Sequence, residues 1–339
     1  MSNVWYHDLL TDTGPIISSR VRLARNIKKY PFRAKISVEQ AKYVVEETAA
    51  AAPAHFREMN PADYNHIDLS MFQEKHIISR EFAKGNVPRG LLLQDNFNAS
   101  IMVNEEDHIR IQTVSPGDDI NASWEMTNAI DDVLEESIDF AFNRDYGYLT
   151  ACPTNVGTGM RASFMIHLPM LEKTGQLKNL LSEISKRGIA IRGIYGEGSG
   201  SMGGIYQISN QMTLGKSERD IIQGLQNVTK EVVEKELDLR NKTLEAHRLD
   251  AENNAYRSYG ILTHSRKITV KEAMTLLSEV KLGYATQILD LPKPNKSLYQ
   301  IMMEIQPGHL KRLAGGDLDE NSLSVARAEY LRDSFGGEK

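Results

Sequence analysis

Three consecutive acids, Glu105, Glu106 and Asp107, stand between two apolar runs, Ile101-Met102-Val103 and Ile109-Ile111-Val114. β-Branched residues on both sides of a short polar break predict strand, turn, strand. Side chains alternate along a strand, so His108, Arg110 and Gln112 share one face and Ile109 and Ile111 the other. An acidic turn beside an arginine on one hairpin can handle a phosphate and a proton together; the same pattern also fits a charged surface hairpin. Four more arginines begin or lie on predicted strands. Arg20 and Arg22 share a face of an extended segment, and two guanidinium forks side by side suit a polyphosphate. Arg161 opens a strand in which Phe164, Ile166 and Leu168 alternate, and Arg192 lies within Ile189–Tyr195. A second strand-end acid, Glu197, is the sole charge of a run holding five glycines in nine residues, Gly196–Gly204. Cys152, the single cysteine, borders a polar loop; a thiol beside the chemistry and a small buried apolar residue are both open readings. Five guanidiniums with the carboxylates of Glu106 and Glu197 point to phosphoryl transfer. In that reaction the protein positions the reactants and neutralises the phosphoryl oxygens.

Recognisable elements surround these residues. Ser37 with Gln40 forms a capping box, predicting a helix through the alanines at 49–52 that stops before Pro53. Residues 60–98 are mixed, and His76 there fits core or surface equally. A helix is predicted over 121–142 with Asn121 as cap, and another over Leu177–Lys186. The formal G-x-G-x-x-G at 198–203 is not a dinucleotide fingerprint, because Ile205–Leu214 reads as a strand where that motif needs a helix. The glycines instead suggest a flap whose backbone can approach a ligand. Gly215-Lys216-Ser217 lacks the first glycine of a P-loop. A long helix is predicted from Ser217. Beyond residue 245 strand-like runs cease, and short helices are expected over 270–281, 283–290, 297–305 and 322–333.

Bulk properties narrow the function classes. An apolar content of 41% and a charged content of 25% fit an ordinary globular protein. A net charge of −5 gives no electrostatic footprint for nucleic acid. One cysteine excludes an internal disulfide and a multi-cysteine zinc site, and suits a reducing cytoplasm. No secretory signal is visible, and no apolar run approaches the ~20 residues that cross a bilayer.

Four motifs, SSRVRLARNI from Ser18, NEEDHIRI from Asn104, CPTNVGTGMRAS from Cys152 and RGIYGE from Arg192, resemble the ATP:guanidino phosphotransferases, the phosphagen-kinase family. The match runs in blocks over roughly residues 15–240. Arginine and creatine kinases carry a small helical domain before the first motif, whereas seventeen residues precede Ser18 here. About a hundred helical residues follow the catalytic part, an organisation similar to the bacterial protein-arginine kinases. The resemblance implies an α+β fold: an antiparallel sheet flanked by helices over 1–245, then an all-helical C-terminal domain over 246–339. It implies ATP with Mg2+ held mainly through the nucleotide and water, and no protein metal ligand. Nucleotide contacts would come from Ser18, Ser19, Arg20, Val21, Arg22, His76, Arg110, Arg161, Ala162, Ser163, Phe164, Met165, Arg192, Gly193, Ile194, Tyr195, Gly196 and Glu197. Glu106 and Glu197 would clamp the guanidinium, with Cys152 beside it. The implied partners are protein substrates with exposed arginines, a McsA-type activator, a CtsR-type repressor and a ClpC-type protease complex in a cytoplasmic stress response. Neither nucleic acid nor membrane is expected, and a homodimer stays open. A kinase for free arginine or another small guanidine, and a non-catalytic adaptor with a kinase fold, are the competing functions. One departure stands out: of the bacterial Arg-Asp-x-x-Arg-Ala element that binds phosphoarginine, only Arg327-Ala328 are present.

Overall fold

The computed structural model describes residues 4–12, 14–195 and 201–336. Strands β1 Ile16–Arg25, β2 Arg57–Met59, β3 Gly90–Leu93, β4 Ala99–Val103, β5 Ile109–Pro116, β8 Met160–His167, β9 Ile189–Tyr195 and β10 Ser201–Asn210 form one sheet in the order β2-β3-β4-β5-β1-β8-β10-β9. A separate hairpin pairs β6 Phe142–Asn143 with β7 Gly147–Tyr148. The helices are α1 Val38–Ala51, α2 His66–Glu74, α3 Arg80–Lys84, α4 Ile120–Glu135, α5 Pro169–Lys173, α6 Leu177–Ser185, α7 Glu218–His264, α8 Val270–Ala285, α9 Leu298–Glu304, α10 Pro307–Ala314 and α11 Glu320–Ser334. Contacts divide the chain into two units, each drawn from separated segments.

The first unit holds Ser19–Ser163 and Ser209–Gln226. Its strands β2, β3, β4 and β5 run antiparallel to their neighbours, in a register that pairs Ile101 with Ile111, Met102 with Arg110 and Val103 with Ile109. A slip of one residue would drive Arg110 into the face that buries Ile101, Ile109 and Ile111, all 0% exposed, so burial fixes the register. α4 packs on β5, and α1 on β3 and β4. Met102, Leu91 and Leu93 pack with Phe72, Ile77, Ile78 and Phe82, so the segment through α2 and α3 covers the face that also carries Arg110. The hairpin is therefore covered on both faces, and the alternative reading of it as a charged surface hairpin fails. The capping box at Ser37 and Gln40 forms as expected. α4 differs from its prediction. Asp119, not Asn121, caps it through Ala122 N, and it ends at Glu135. Ile138 stays buried beyond the helix, but Phe142 is claimed by the β6–β7 hairpin, where its ring meets that of Tyr148.

The second unit includes Tyr6–Ser18, Phe164–Ile208 and Asn227 onward. α6 lies against β9. α7 continues past residue 245, with one non-helical residue, His247 (φ −139, ψ 39). α8 to α11 supply the expected helical C-terminal part. The predicted helix at 283–290 does not form. α8 runs to Ala285, Gln287 adopts φ 58, and the N–H groups of Ile288 and Leu289 close onto Gly283 O. Gly283 sits inside α8 because a Cβ there would come within 2.9 Å of the Ala255 side chain. Buried Lys281 donates to Thr11 O and Asp12 Oδ1, tying the N-terminal segment to this helical core.

Candidate active site

The acidic turn is built by Asn104. Its φ of 61 is a left-handed conformation that asparagine tolerates better than bulkier residues. Its N–H donates to His108 O at 2.8 Å, and its side-chain amide donates to Ala41 O and Pro88 O. The reversal that β4 and β5 require is thereby anchored to α1 and to the loop before β3.

The three acids then part company. Glu105 is 3% exposed and pairs with Arg110; the Ser79 hydroxyl also donates to it, and Glu106 N donates to its Oε2. Burial alone would raise its pKa, but Arg110, those two donors and Arg22 outweigh burial and hold it below the usual carboxylate range. Glu106 is exposed and behaves oppositely. Partial desolvation, then the charges of Asp107 and Glu105, push its pKa up against the pull of Arg110. Asp107 is 2% exposed and turns inward, accepting from Asn26 and from Ala151 N.

A cavity of about 100 Å³ brings these groups together. Its lining includes Arg22, Glu105, Glu106, Asp107, Arg110, Cys152, Thr154, Asn155 and Arg161. Burial, then Arg20, Arg110 and Arg161, lower the pKa of Arg22, with Glu105 opposing them. Arg22 Nε is also buried without a hydrogen-bond partner. Crowded like charges with an unsatisfied donor fit a bound polyanion, which would relieve both costs. Arg161 donates to the Ser209 hydroxyl at 3.2 Å. Cys152 is half-buried, its Sγ 3.0 Å from the Thr154 hydroxyl.

Of the site residues expected from sequence, Glu106, Cys152, Arg22, Arg110 and Arg161 thus share one cavity. Arg20 is close enough to perturb both Arg22 and His76. His76 has φ 58, and its carbonyl accepts from Gln112 Nε2 at 2.7 Å. Burial, then Arg20 and Arg22, bring its pKa down to about 3, so the ring is neutral at physiological pH. Ser19 donates to Gly117 O and accepts from Asp119 N, which fixes β1 to the start of α4. Val21 is fully buried, and so are Ala162, whose N–H donates to Asn210 Oδ1, and Phe164. Ser18 and Ser163 are buried on β1 and β8, and Met165 Sδ accepts from Tyr299. Arg192 is exposed on β9, which also carries Gly193, Ile194 and Tyr195. Gly196 and Glu197 lie outside the described residues. Glu105, Asp107 and Asn26 were not singled out by sequence. The acidic turn beside Arg110 was read as a unit, but Ser79, Asn26 and Ala151, which give Glu105 and Asp107 their separate settings, lie 26, 81 and 44 positions away.

A cluster of arginines facing a partly exposed acid fits a phosphotransferase, and the sequence relationships show that class. The profile of the ATP:guanido phosphotransferase C-terminal catalytic domain matches residues 38–239, and that of the protein-arginine kinase McsB C-terminal domain matches residues 248–339. The chain belongs to the ATP:guanido phosphotransferase family. It is 43% identical over 330 residues to the protein-arginine kinase of Caldanaerobacter subterraneus subsp. tengcongensis, covering 94% of this chain and 96% of that one. It is 39% identical over 336 residues to the protein-arginine kinase of Bacillus subtilis, covering 97% and 92%. Among solved structures, the duplicated taurocyamine kinase of Schistosoma mansoni, with bound transition-state-analogue components, superposes with a TM-score of 0.62 at 26% identity. That match covers 70% of this chain, which spans about a third (35%) of the duplicated kinase. Lombricine kinase shares the fold, with a TM-score of 0.59 at 23% identity over 72% of this chain and 70% of that one.

Proposed function

We propose that this chain is a protein-arginine kinase that transfers the γ-phosphoryl group of ATP to arginine side chains of proteins. The observation that carries this reading is the single cavity in which Arg22, Arg110 and Arg161 meet Glu106 and Cys152. An arginine substrate, with a pKa above ~12, has no lone pair to attack with, so a carboxylate must orient it and accept a proton as the N–P bond forms. Glu106 serves as that base. Its raised pKa favours proton uptake, and it is not spent on Arg110 as Glu105 is. Glu197 is the second clamp. The substrate nitrogen attacks the γ-phosphorus, the bond to the β-bridging oxygen breaks, and ADP leaves while Glu106 keeps the proton. Arg20, Arg22, Arg110, Arg161 and Arg192 neutralise the phosphate oxygens, and neutral His76 packs on the nucleotide side. Mg2+ brought in with ATP would supply further charge neutralisation at the phosphates, held through the nucleotide and water; among the described residues no cluster of His, Cys, Asp or Glu could hold it.

The catalytic domain spans 1–245 and a helical C-terminal domain 246–339. Supporting this division are the separate profile matches ending at 239 and beginning at 248, and the break at His247. Proteins rather than small guanidines are the acceptors, a choice supported by near-full-length similarity to protein-arginine kinases. A cytoplasmic stress-response role, with a McsA-type activator, a CtsR-type repressor and a ClpC-type protease as partners, follows from the same kinship, and a homodimer accords with it. No helix among the described residues is long and apolar enough to cross a membrane. The test mixes the protein and Mg-ATP with either an arginine-rich protein or free arginine and follows acid-labile N–P signals by phosphorus NMR. Signal on the protein acceptor is expected. Signal on free arginine alone would make this a small-guanidine kinase, and signal on neither, with the activator present, would make it an adaptor.

A further inference from the structure

We infer that Asp107, acting through Asn26, is a positioning residue that sets the separation between Glu106 and Cys152; the inference rests on the phosphotransfer reading of this cavity. Among the described residues Asp107 belongs to no cluster that could hold a metal ion and forms no ion pair. Its Oδ1 instead accepts two short hydrogen bonds, from Asn26 Nδ2 and from Ala151 N, both 2.6 Å. The Asn26 amide completes the bridge. Its Nδ2 also donates to Leu149 O at 3.0 Å, and its Oδ1 accepts from His108 N at 2.9 Å. Residues 107–108 are thus joined to residues 149–151 by one carboxylate and one amide; Asp107 and Asn26 are each 2% exposed, while Ala151 itself lies at the surface.

The chain geometry makes this join consequential. Glu106 immediately precedes Asp107, and Cys152 immediately follows Ala151. The strut therefore ends one residue from each of the two groups that would flank the incoming guanidinium. His108 stiffens it from the other side. Its Nδ1 accepts from Ile27 N at 3.0 Å, so its protonated Nε2 donates to Pro31 O at 2.9 Å. The far end of the Cys152 loop is tied separately, by Ala24 N to Gly159 O and Arg25 to Thr158 O. Both donors to Asp107 Oδ1 are neutral N–H groups, which an amide oxygen can accept equally well. Nothing in this geometry needs the negative charge, whereas a third acid beside Glu105 and Glu106 costs repulsion.

That distinction supplies the test. Asp107→Ala and Asp107→Asn are made in the full chain, and thermal melts confirm folding. Two quantities are read: the rate of Cys152 alkylation by iodoacetamide, unambiguous because it is the only thiol, and kcat and KM for ATP and the acceptor. Asp107→Ala should alkylate roughly tenfold faster, about the factor that the two lost hydrogen bonds contribute to holding a local segment closed. Its kcat should fall on the order of 10²-fold, as misplacement by about 1 Å does, with KM for ATP little changed. Asp107→Asn should recover most of both losses. Should Asp107→Ala fail to fold, Asn26→Ala removes the amide half of the bridge and is read for the same faster alkylation. Wild-type alkylation in these truncations, or an asparagine variant as impaired as the alanine one, overturns the inference. Alkylation needs no turnover, so an inactive wild type with faster-alkylating variants would sink the phosphotransfer reading and leave the strut standing.

Discussion

Glu105 and Glu106 are the same side chain one peptide bond apart, with opposite protonation tendencies. Glu105 is buried against Arg110 and Ser79 and held ionised; Glu106 is more open and held closer to protonation. In the proposed mechanism such a pair separates a structural charge from a base. Glu106→Gln should lower kcat by ~10²–10⁴-fold with little loss of thermal stability, read by steady-state kinetics and a thermal melt. The base must be ionised in order to accept a proton. Activity should therefore fall as pH drops through a limb above the ordinary glutamate value of 4.5, because the folded pKa is raised. His76 predicts a stability effect of definite sign. An unfolded chain takes up a proton near 6.5 that the folded chain refuses until about 3. Stability should decline as pH falls across that window, and His76→Gln should flatten the decline in denaturant titrations at pH 7 and pH 5. That Glu106, Cys152, Arg22, Arg110 and Arg161 belong together was legible in sequence, because each lies in a motif, and the five share one cavity. Glu105, Asp107 and Asn26 were not, since Ser79 lies 26 positions from Glu105, and Ala151 and Asn26 lie 44 and 81 from Asp107.

Elements hold these residues through a few buried polar joints. Arg25 at the end of β1 meets Asp131 on α4 at 2.7 Å, with side chains 2% and 7% exposed. The same guanidinium lies over the Tyr148 ring, 3.5 Å from its centroid, and donates to Ala24 O and Thr158 O. This joint fastens strand, helix and Cys152 loop at once. Asp131→Ala leaves a buried cation uncompensated and should cost ~3–5 kcal/mol in urea unfolding. Arg25→Met combined with Asp131→Leu should lose less than Asp131→Ala alone. Gly159 approaches the same joint so closely that a Cβ would come within 2.6 Å of Ala24 O and of the Arg25 guanidinium. At this scale local pattern was a good guide where it was strong. The capping box placed α1, the apolar run at 101–103 placed β4, and alternation placed β5 and β8. It failed where a remote partner chose the conformation: Phe142 left the helical stripe for a hairpin with Tyr148, and the 283–290 segment turned back onto Gly283. The short run Gly90–Leu93 gave no alternation because all four residues are buried.

At the scale of the molecule, four clustered guanidiniums are a cost carried until a polyanion arrives. ADP or inorganic tripolyphosphate should raise the melting temperature, the gain reaching ~2.7 kcal/mol at a hundredfold excess over Kd. Arg22→Met should melt higher than wild type without ligand and gain less from it; differential scanning fluorimetry reads both. The helical C-terminal part was legible from the loss of strand-like runs. Its partial Arg-Asp-x-x-Arg-Ala element was legible too, but not the use of its arginine. Arg327 is 2% exposed, and its guanidinium donates to Ile305 O and Ile268 O within the helical core. That makes it an anchor of the fold. Which segments make up each unit could not be read from a linear pattern, since each unit draws on segments more than a hundred residues apart in the chain.

The central claim is that one cavity binds phosphate through arginines and a cationic acceptor through Glu106. Calorimetric titration of ADP with nitrate, a planar mimic of the transferring phosphoryl group, tests it most directly when repeated with and without an arginine-containing peptide. Transition-state mimics bind at least ~10²-fold tighter than ground-state ligands. Nitrate should tighten ADP binding in wild type only when the peptide is present, and Glu106→Gln should lose that gain while still binding ADP. Equal tightening in the Glu106→Gln variant, or none in the wild type with peptide, would contradict the account.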